Sequence, residues 1–323
     1  MQDALTLRTP SPVLRLHRGH LWTVIWVAMG AVAAYFLLPQ AGELQESLGS
    51  LQHVHPGWVA AGAALVALRY TLAALSLRAA VGRPLPFGPT LLVQASSAFI
   101  GRFTPEGVGW LVLNQRYLEK EGLSRTSAAA AISLKVLAGV VVRIIIMAAV
   151  ASLVGASGVF GFDLSGSVYM LAVPVALVMI GFVLWRAFGS RATRAKASVA
   201  AAAKEFASVF RQPVRMAALL GSSAGLPIAY ALALSTSARA FGVDVSFIDI
   251  FAVYLGGTAV AAASPTPGNL GAVEVTLSAG LIAVGVPSGA AVAAVLIYRL
   301  LTFWLPLVPG FFAFRYLQAK HHI

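Results

Sequence analysis

The chain contains no cysteine, which excludes disulfides, thiolate chemistry and any cysteine-ligated metal. Charge is scarce as well. Only 11% of the 323 residues are charged while 59% are hydrophobic, and the mean hydropathy is +0.84. A water-soluble chain of this length needs a far more polar surface, so the composition is that of a polytopic membrane protein. The ~10-residue dyad alternation of barrel strands is missing, and apolar stretches of about 18–25 residues recur, which makes the spans helical. No polar linker or low-complexity tract is long enough to separate soluble domains, so residues 1–323 form one membrane domain. No ATP-binding motif occurs. The histidines (His17, His20, His53, His55, His321 and His322) all fall outside the expected spans. His53-x-His55 offers two metal ligands with no third nearby. No Ser–His, His–Glu or carboxylate cluster stands at membrane depth, so we expect no enzyme, no cofactor and no metal site.

The apolar runs set the expected spans at 21–38, 56–80, 126–153, 167–186, 214–238 and 289–313. The first follows "LRLHRGH", as a signal peptide would, but it is long and reads better as a retained signal anchor. Two further apolar stretches, 88–118 and 246–283, carry Pro and Gly near their middles. They fit poorly as straight spans and well as re-entrant helix–break–helix hairpins.

The formal net charge of +12 looks like a nucleic-acid footprint until the cations are placed. Let the N-terminus be cytoplasmic and let both hairpins re-enter. The cytoplasmic side then holds Arg8, Arg15, Arg18, Arg78, Arg83, Arg116, Lys120, Arg125, the seven cations from Arg186 to Arg215, Arg315 and Lys320. That is 17 cations against Arg239 alone on the other side. The split is the positive-inside rule, so no nucleic-acid partner is expected and both termini are placed in the cytoplasm. Residues 191–213 read as a basic, Ala-rich cytoplasmic helix, either touching anionic headgroups or simply connecting two spans.

The two breaks align. Thr104-Pro105-Glu106-Gly107-Val108-Gly109 matches Thr266-Pro267-Gly268-Asn269-Leu270-Gly271, and Lys135 then falls opposite Arg299. With three full spans between the hairpins, 1–160 and 161–323 become inverted repeats, the usual build of alternating-access carriers. The second half-helix of each hairpin is expected to start just after its Pro, with free N–H groups and a positive dipole end aimed inward. Two such ends would attract an anion.

Ionisable residues within apolar segments are Arg69, Arg102, Glu106, Lys135, Arg143, Glu274 and Arg299. Each costs ~2.5–3.5 kcal/mol at a helix centre unless paired or used. Two accounts stay open. In one, Arg102, Lys135 and Arg299, with Glu106, Asn269, Glu274 and Tyr298, form a substrate site whose headgroup Asn114 and Gln94 could also hydrogen-bond. In the other, Glu106 pairs with Arg102 or Lys135 and Glu274 with Arg299, while Asn269, Asn114, Gln94 and Tyr298 satisfy broken backbone. For Arg69 and Arg143, snorkelling or a helix-packing role stands beside substrate contact as the alternative. Five cations against two anions suit a ligand bearing phosphate or another acidic group.

Residues 264–310 closely resemble the lysylphosphatidylglycerol synthase transmembrane (flippase) family. Its signature, a Pro-Gly-Gly-x-Gly-x-x-Glu break followed by a Tyr-Arg-x-x-x-x-Trp/Tyr span, is met here by Pro267-Gly268-Asn269-Leu270-Gly271-Ala272-Val273-Glu274 and by Tyr298-Arg299 with Trp304. Three positions depart from the family pattern. Asn269 replaces a Gly, Gly109-Trp110-Leu111-Val112-Leu113 replaces Gly-Glu-x-x-Arg, and Leu134-Lys135 replaces Glu-Arg. The resemblance implies a lipid translocator, commonly a homodimer, in the cytoplasmic (inner) membrane of a bacterium. It would act on anionic or zwitterionic phospholipid. The sequence ends at Ile323 without a soluble domain, so the expectation is the translocating half alone. The alternatives are a carrier of a soluble anionic solute and a scaffold for a lipid-modifying enzyme partner.

Overall fold

The computed structural model describes residues 54–104, 109–157, 211–262, 267–320 and 322–323. The expected spans 21–38 and 167–186, most of the basic segment, and Pro105, Glu106 and Gly107 lie outside them. Every element among the described residues is helical. In chain order these are α1 (Pro56–Val81), α2 (Phe87–Phe103), α3 (Gly109–Lys120), α4 (Arg125–Ser157), α5 (Pro213–Arg239), α6 (Phe247–Ala261), a 3₁₀ turn (Pro267–Asn269), α7 (Ala272–Ala283), α8 (Ser288–Arg299), a π turn (Leu300–Trp304) and α9 (Leu307–Ala319).

Four segments are long and apolar enough to cross a bilayer: Pro56–Val81, Arg125–Leu153, Pro213–Arg239 and Ser288–Ala319. Each corresponds to a span read from the sequence, and together they make this a multi-pass membrane protein. Large apolar side chains such as Ile145, Val260, Val275, Val308 and Phe312 remain exposed on the outside of the bundle, where acyl chains rather than water would meet them.

The stretches with central Pro and Gly fold as two antiparallel helix pairs. In the first, Thr90 near the start of α2 meets Tyr117 near the end of α3, hydroxyl to hydroxyl at 2.9 Å, and Gln94 donates to Asn114 at 2.9 Å. In the second, the Thr276 hydroxyl of α7 donates to the Gly257 carbonyl of α6 at 3.0 Å, and Gly280 packs on Val253. α3 and α7, at 12 residues each, are about 18 Å long and too short to span ~30 Å of hydrocarbon.

The two pairs open at opposite ends of the bundle. At one end Arg78 lies over Phe87, Arg215 donates to the Ala79 and Ala80 carbonyls, and His322 meets Glu121 at 3.7 Å. At the other, the His55 amide donates to the Ala240 carbonyl, Arg239 lies over Trp58, and Phe247, Val284 and Val286 share one apolar core with Val59. The first end carries Arg78, Arg83, Arg116, Lys120, Arg125, Arg211, Arg215, Arg315 and Lys320, and the second carries Arg239. The partition expected from the sequence therefore exists in three dimensions among the described residues.

Small residues let the helices close on one another. α1 and α5 pack most extensively, and α9 lies along α2 with Gly310 so close that a Cβ would reach 2.8 Å from the Ala95 carbonyl oxygen. One detail differs from the sequence expectation. α7 begins at Ala272 rather than just after Pro267, because Gly268, Asn269 and Gly271 take φ values of 63°, 54° and 82°. Left-handed residues cannot enter a right-handed helix, so the break is wound tightly before the helix starts.

Candidate functional site

The site grows from the last turn of α2, the turn at 267–271 and the kinked join of α8 and α9. In an α-helix the Thr302 carbonyl would accept from the N–H of residue 306, but residue 306 is Pro and has none. The backbone adopts a π turn in which Leu305 bonds back to Leu300 at 2.8 Å. Arg102 fills the vacancy, its Nη2 donating to the Thr302 carbonyl at 2.6 Å.

Phe303, fully packed within the same turn, separates two arginines. Arg102 stacks on its ring at 4.5 Å from the centroid and Arg299 at 4.6 Å. Gly268 abuts the ring edge, where a Cβ would fall 2.5 Å from Phe303 Cε2. Arg299 is only 8% exposed and is tied to the break itself: Nε donates to Glu274 Oε1 at 2.8 Å and Nη2 to the Gly268 carbonyl at 3.3 Å. The other Glu274 oxygen accepts the Gly271 amide at 2.9 Å, so the exposed start of α7 receives its anion from within the chain. Of the two accounts of Glu274 and Arg299, internal pairing is the one the geometry realises. At the first break, the Gly109 amide that opens α3 donates to Thr104 Oγ1 at 2.9 Å, and Gly109 is buried where any Cβ would strike Ile100 and Thr104.

A second polar cluster lies between the arms of the first pair and α4. Lys135 Nζ donates to Gln94 Oε1 at 2.8 Å, Gln94 Nε2 donates to Asn114 Oδ1, and Asn114 Nδ2 donates to Ser97 Oγ and the Trp110 carbonyl. Gln94 and Asn114 are thus consumed in holding a buried lysine.

Arg69 on α1, for which the sequence left snorkelling, packing and substrate contact open, joins these groups. Its guanidinium lies between the rings of Tyr70 and Tyr230 at 4.9 and 5.1 Å, and Tyr230 in turn meets Tyr254 and Tyr298. It stands within Coulombic reach of Arg102 and Lys135, as Arg299 does of Arg102. Arg143 is held apart, donating to Thr258 Oγ1 at 2.7 Å.

Among the described residues, then, Arg69 stands within Coulombic reach of Arg102 and Lys135, Arg102 within reach of Arg299, and Glu274 pairs with Arg299. Tyr298 is buried in the core beside it and Asn269 forms part of the turn. Sequence reading singled out Arg69 only as an ionisable residue within a span and passed over Tyr70, Tyr230, Thr302 and Phe303. Only Arg69, an ionisable residue in mid-span, gave a usable signal. A cavity of about 750 Å³ lies elsewhere, between α1 and α5 near Arg78, Arg211 and Val214.

Two comparisons bear on what this arrangement belongs to. A protein of Pyrococcus horikoshii described as "UPF0104 membrane protein PH1989" is 38% identical over 69 residues, a match spanning 21% of this chain and 21% of that one. Residues 21–310 match the family described as the lysylphosphatidylglycerol synthase TM region, which places the breaks, the cationic cluster, three of the four described spans and most of the fourth inside it. The chain belongs to the lysylphosphatidylglycerol synthase transmembrane-region family.

Proposed function

We propose that the protein is a lipid translocator, moving a charged phospholipid or related phosphate-bearing lipid between leaflets. Its headgroup would pass the cationic cluster while the acyl chains stay in the membrane. The observation that carries this reading is the group of cations at membrane depth, Arg69, Arg102, Lys135 and Arg299, set beside two interrupted helix pairs. Charges there are costly, and a cluster that the described residues leave largely unneutralised suits a ligand that brings the missing negative charge. Arg102 and Lys135 act as headgroup contacts, and Arg299 holds the break in shape. In this reading both helix pairs re-enter the membrane, one from each face, and the two halves are inverted repeats with the basic end cytoplasmic. Phe303 fills the space between the arginines, so passage requires the 267–271 turn and the end of α2 to part around it. Without an ATP-binding motif, movement follows a gradient or couples to an ion.

The test uses purified protein in liposomes carrying fluorescent phospholipids of several headgroups in both leaflets. Dithionite quenching is followed for wild type and Arg102→Gln. Quenching beyond the outer-leaflet half, lost in the variant at unchanged melting temperature, supports translocation. Quenching that stops at half for every headgroup, with and without an imposed pH or voltage step, removes the reading in favour of a soluble-anion carrier or a scaffold for a lipid-modifying enzyme.

A further inference from the structure

The charges at the site also restrict the headgroup, on the assumption that the translocator reading holds. Guanidiniums do not deprotonate in proteins. Among the described residues, Arg69, Arg102 and Arg299 therefore exceed Glu274 by two positive charges, with Lys135 a further cation beside Arg69. A phosphodiester carries one negative charge and leaves that excess half met. A terminal phosphomonoester carries about −1.5 to −2 at pH 7 and meets it.

The hydrogen bonding agrees with the charge count. Arg299 is tied through Nε to Glu274 and through Nη2 to Gly268, and its ring contact with Phe303 covers one face. Arg69 and Arg102 differ. Tyr70 and Tyr230 flank the Arg69 guanidinium, Phe303 covers a face of Arg102, and the Thr302 carbonyl takes only Nη2. That leaves in-plane donors: Arg69 Nε and Arg102 Nη1 are buried, and neither makes a hydrogen bond among the described residues. A buried charged donor without an acceptor is expensive, so these two, within Coulombic reach of one another and with the unpartnered Tyr70 hydroxyl beside Arg69, point to an acceptor that the described residues do not supply. The stacked rings fix both guanidinium planes beforehand, which suits the several oxygens of a terminal phosphate.

From this geometry we infer that Arg69 and Arg102 together form a binding site for a terminal, doubly ionised phosphate on a lipid, with Lys135 as the supporting cation. A monoanionic diester is the poorer ligand, and a headgroup bearing its own cation is poorer still, because the cluster repels it.

The test compares NBD-labelled phosphatidic acid, phosphatidylglycerol and phosphatidylcholine for dithionite-accessible equilibration in proteoliposomes. In detergent it compares dihexanoyl phosphatidic acid with dihexanoyl phosphatidylglycerol as thermal stabilisers. Phosphatidic acid should equilibrate about tenfold faster than phosphatidylglycerol, the effect expected of one additional charge-assisted contact. Arg69→Gln and Arg102→Gln should each abolish the preference, Arg69→Lys should retain part of it, and Arg143→Gln should leave it intact. Phosphatidylglycerol moving as fast or faster overturns the inference while leaving translocation standing. Selective stabilisation of the wild type, but not of the two Gln variants, by dihexanoyl phosphatidic acid without any lipid movement supports the site and removes the translocator. Stabilisation by neither short-chain lipid and no movement overturn both. If either Gln variant fails to fold, the Arg69→Lys profile and the wild-type headgroup order decide the outcome.

Discussion

Arg102 and Arg299 bracket one aromatic ring: their guanidinium carbons sit 4.5 and 4.6 Å from the centroid of Phe303. The two arginines come from different broken segments, yet their bonding is unequal. Among the described residues, Arg299 has a carboxylate and a carbonyl, while Arg102 has one carbonyl and a buried nitrogen with no hydrogen-bond partner. The first is built like a fastening and the second like a contact waiting for a ligand. That difference separates the expected effects of changing them.

Glu274→Gln leaves Arg299 as an uncompensated buried charge and weakens the start of α7. Breaking a buried pair from one side costs about 3 kcal/mol, so the detergent melting temperature should fall clearly. Replacing both partners, Glu274→Gln with Arg299→Gln, should recover part of that loss. A double-mutant cycle in chemical denaturation measures the coupling, and additive losses would show that the pair is not a fastening.

Pro306→Ala restores an N–H that can bond the Thr302 carbonyl and so compete with Arg102. The α8–α9 helix should straighten with stability unchanged or raised, while lipid movement in proteoliposomes falls several-fold. A variant that loses stability but keeps transport would refute the assigned role of the π turn.

Gly268→Ala places a methyl group 2.5 Å from Phe303 Cε2 at a backbone φ of 63°. The left-handed conformation costs roughly 1–2 kcal/mol and the clash adds to it. Combining the change with Phe303→Leu should relieve the clash but not the backbone strain. Thermal unfolding of the single and double variants reads the two contributions separately.

Gln94→Leu removes the acceptor from Lys135 and a partner from Asn114. A charged buried donor left without its partner costs about 1–3 kcal/mol or more. Lys135→Met should be far less harmful in the Gln94→Leu background than alone, as unfolding of the four-member set will show.

The cysteine-free sequence permits direct topology mapping with single introduced thiols. Arg83→Cys and Ser124→Cys flank the first helix pair, and Asp244→Cys and Ser288→Cys flank the second. Re-entrant geometry predicts that an impermeant maleimide added outside intact cells labels the second two and neither of the first. Labelling at 124 but not at 83 would make the first pair a full crossing.

Much of the fold was legible because its signals are local. Four spans could be read from apolar length, the two helix pairs from Pro and Gly, and the charged end from the placement of Lys and Arg. The start of α7 was misplaced by several residues, since Pro267 marks where a helix can begin but not that three left-handed residues intervene. Asn114 and Gln94 were visible as buried polar groups, but not as the support of Lys135.

The sequence alone thus determined that this is a helical membrane protein of one family, broken at two places and basic at one end, because hydropathy, helix breaking and charge bias act over neighbouring residues. Only the tertiary structure decided which cations are spent and which are free. Arg102 meets a carbonyl 200 positions away, and Arg69 finds its tyrosine Tyr230 on another helix. Those partners are chosen by how interrupted helices pack in three dimensions, which no local pattern records.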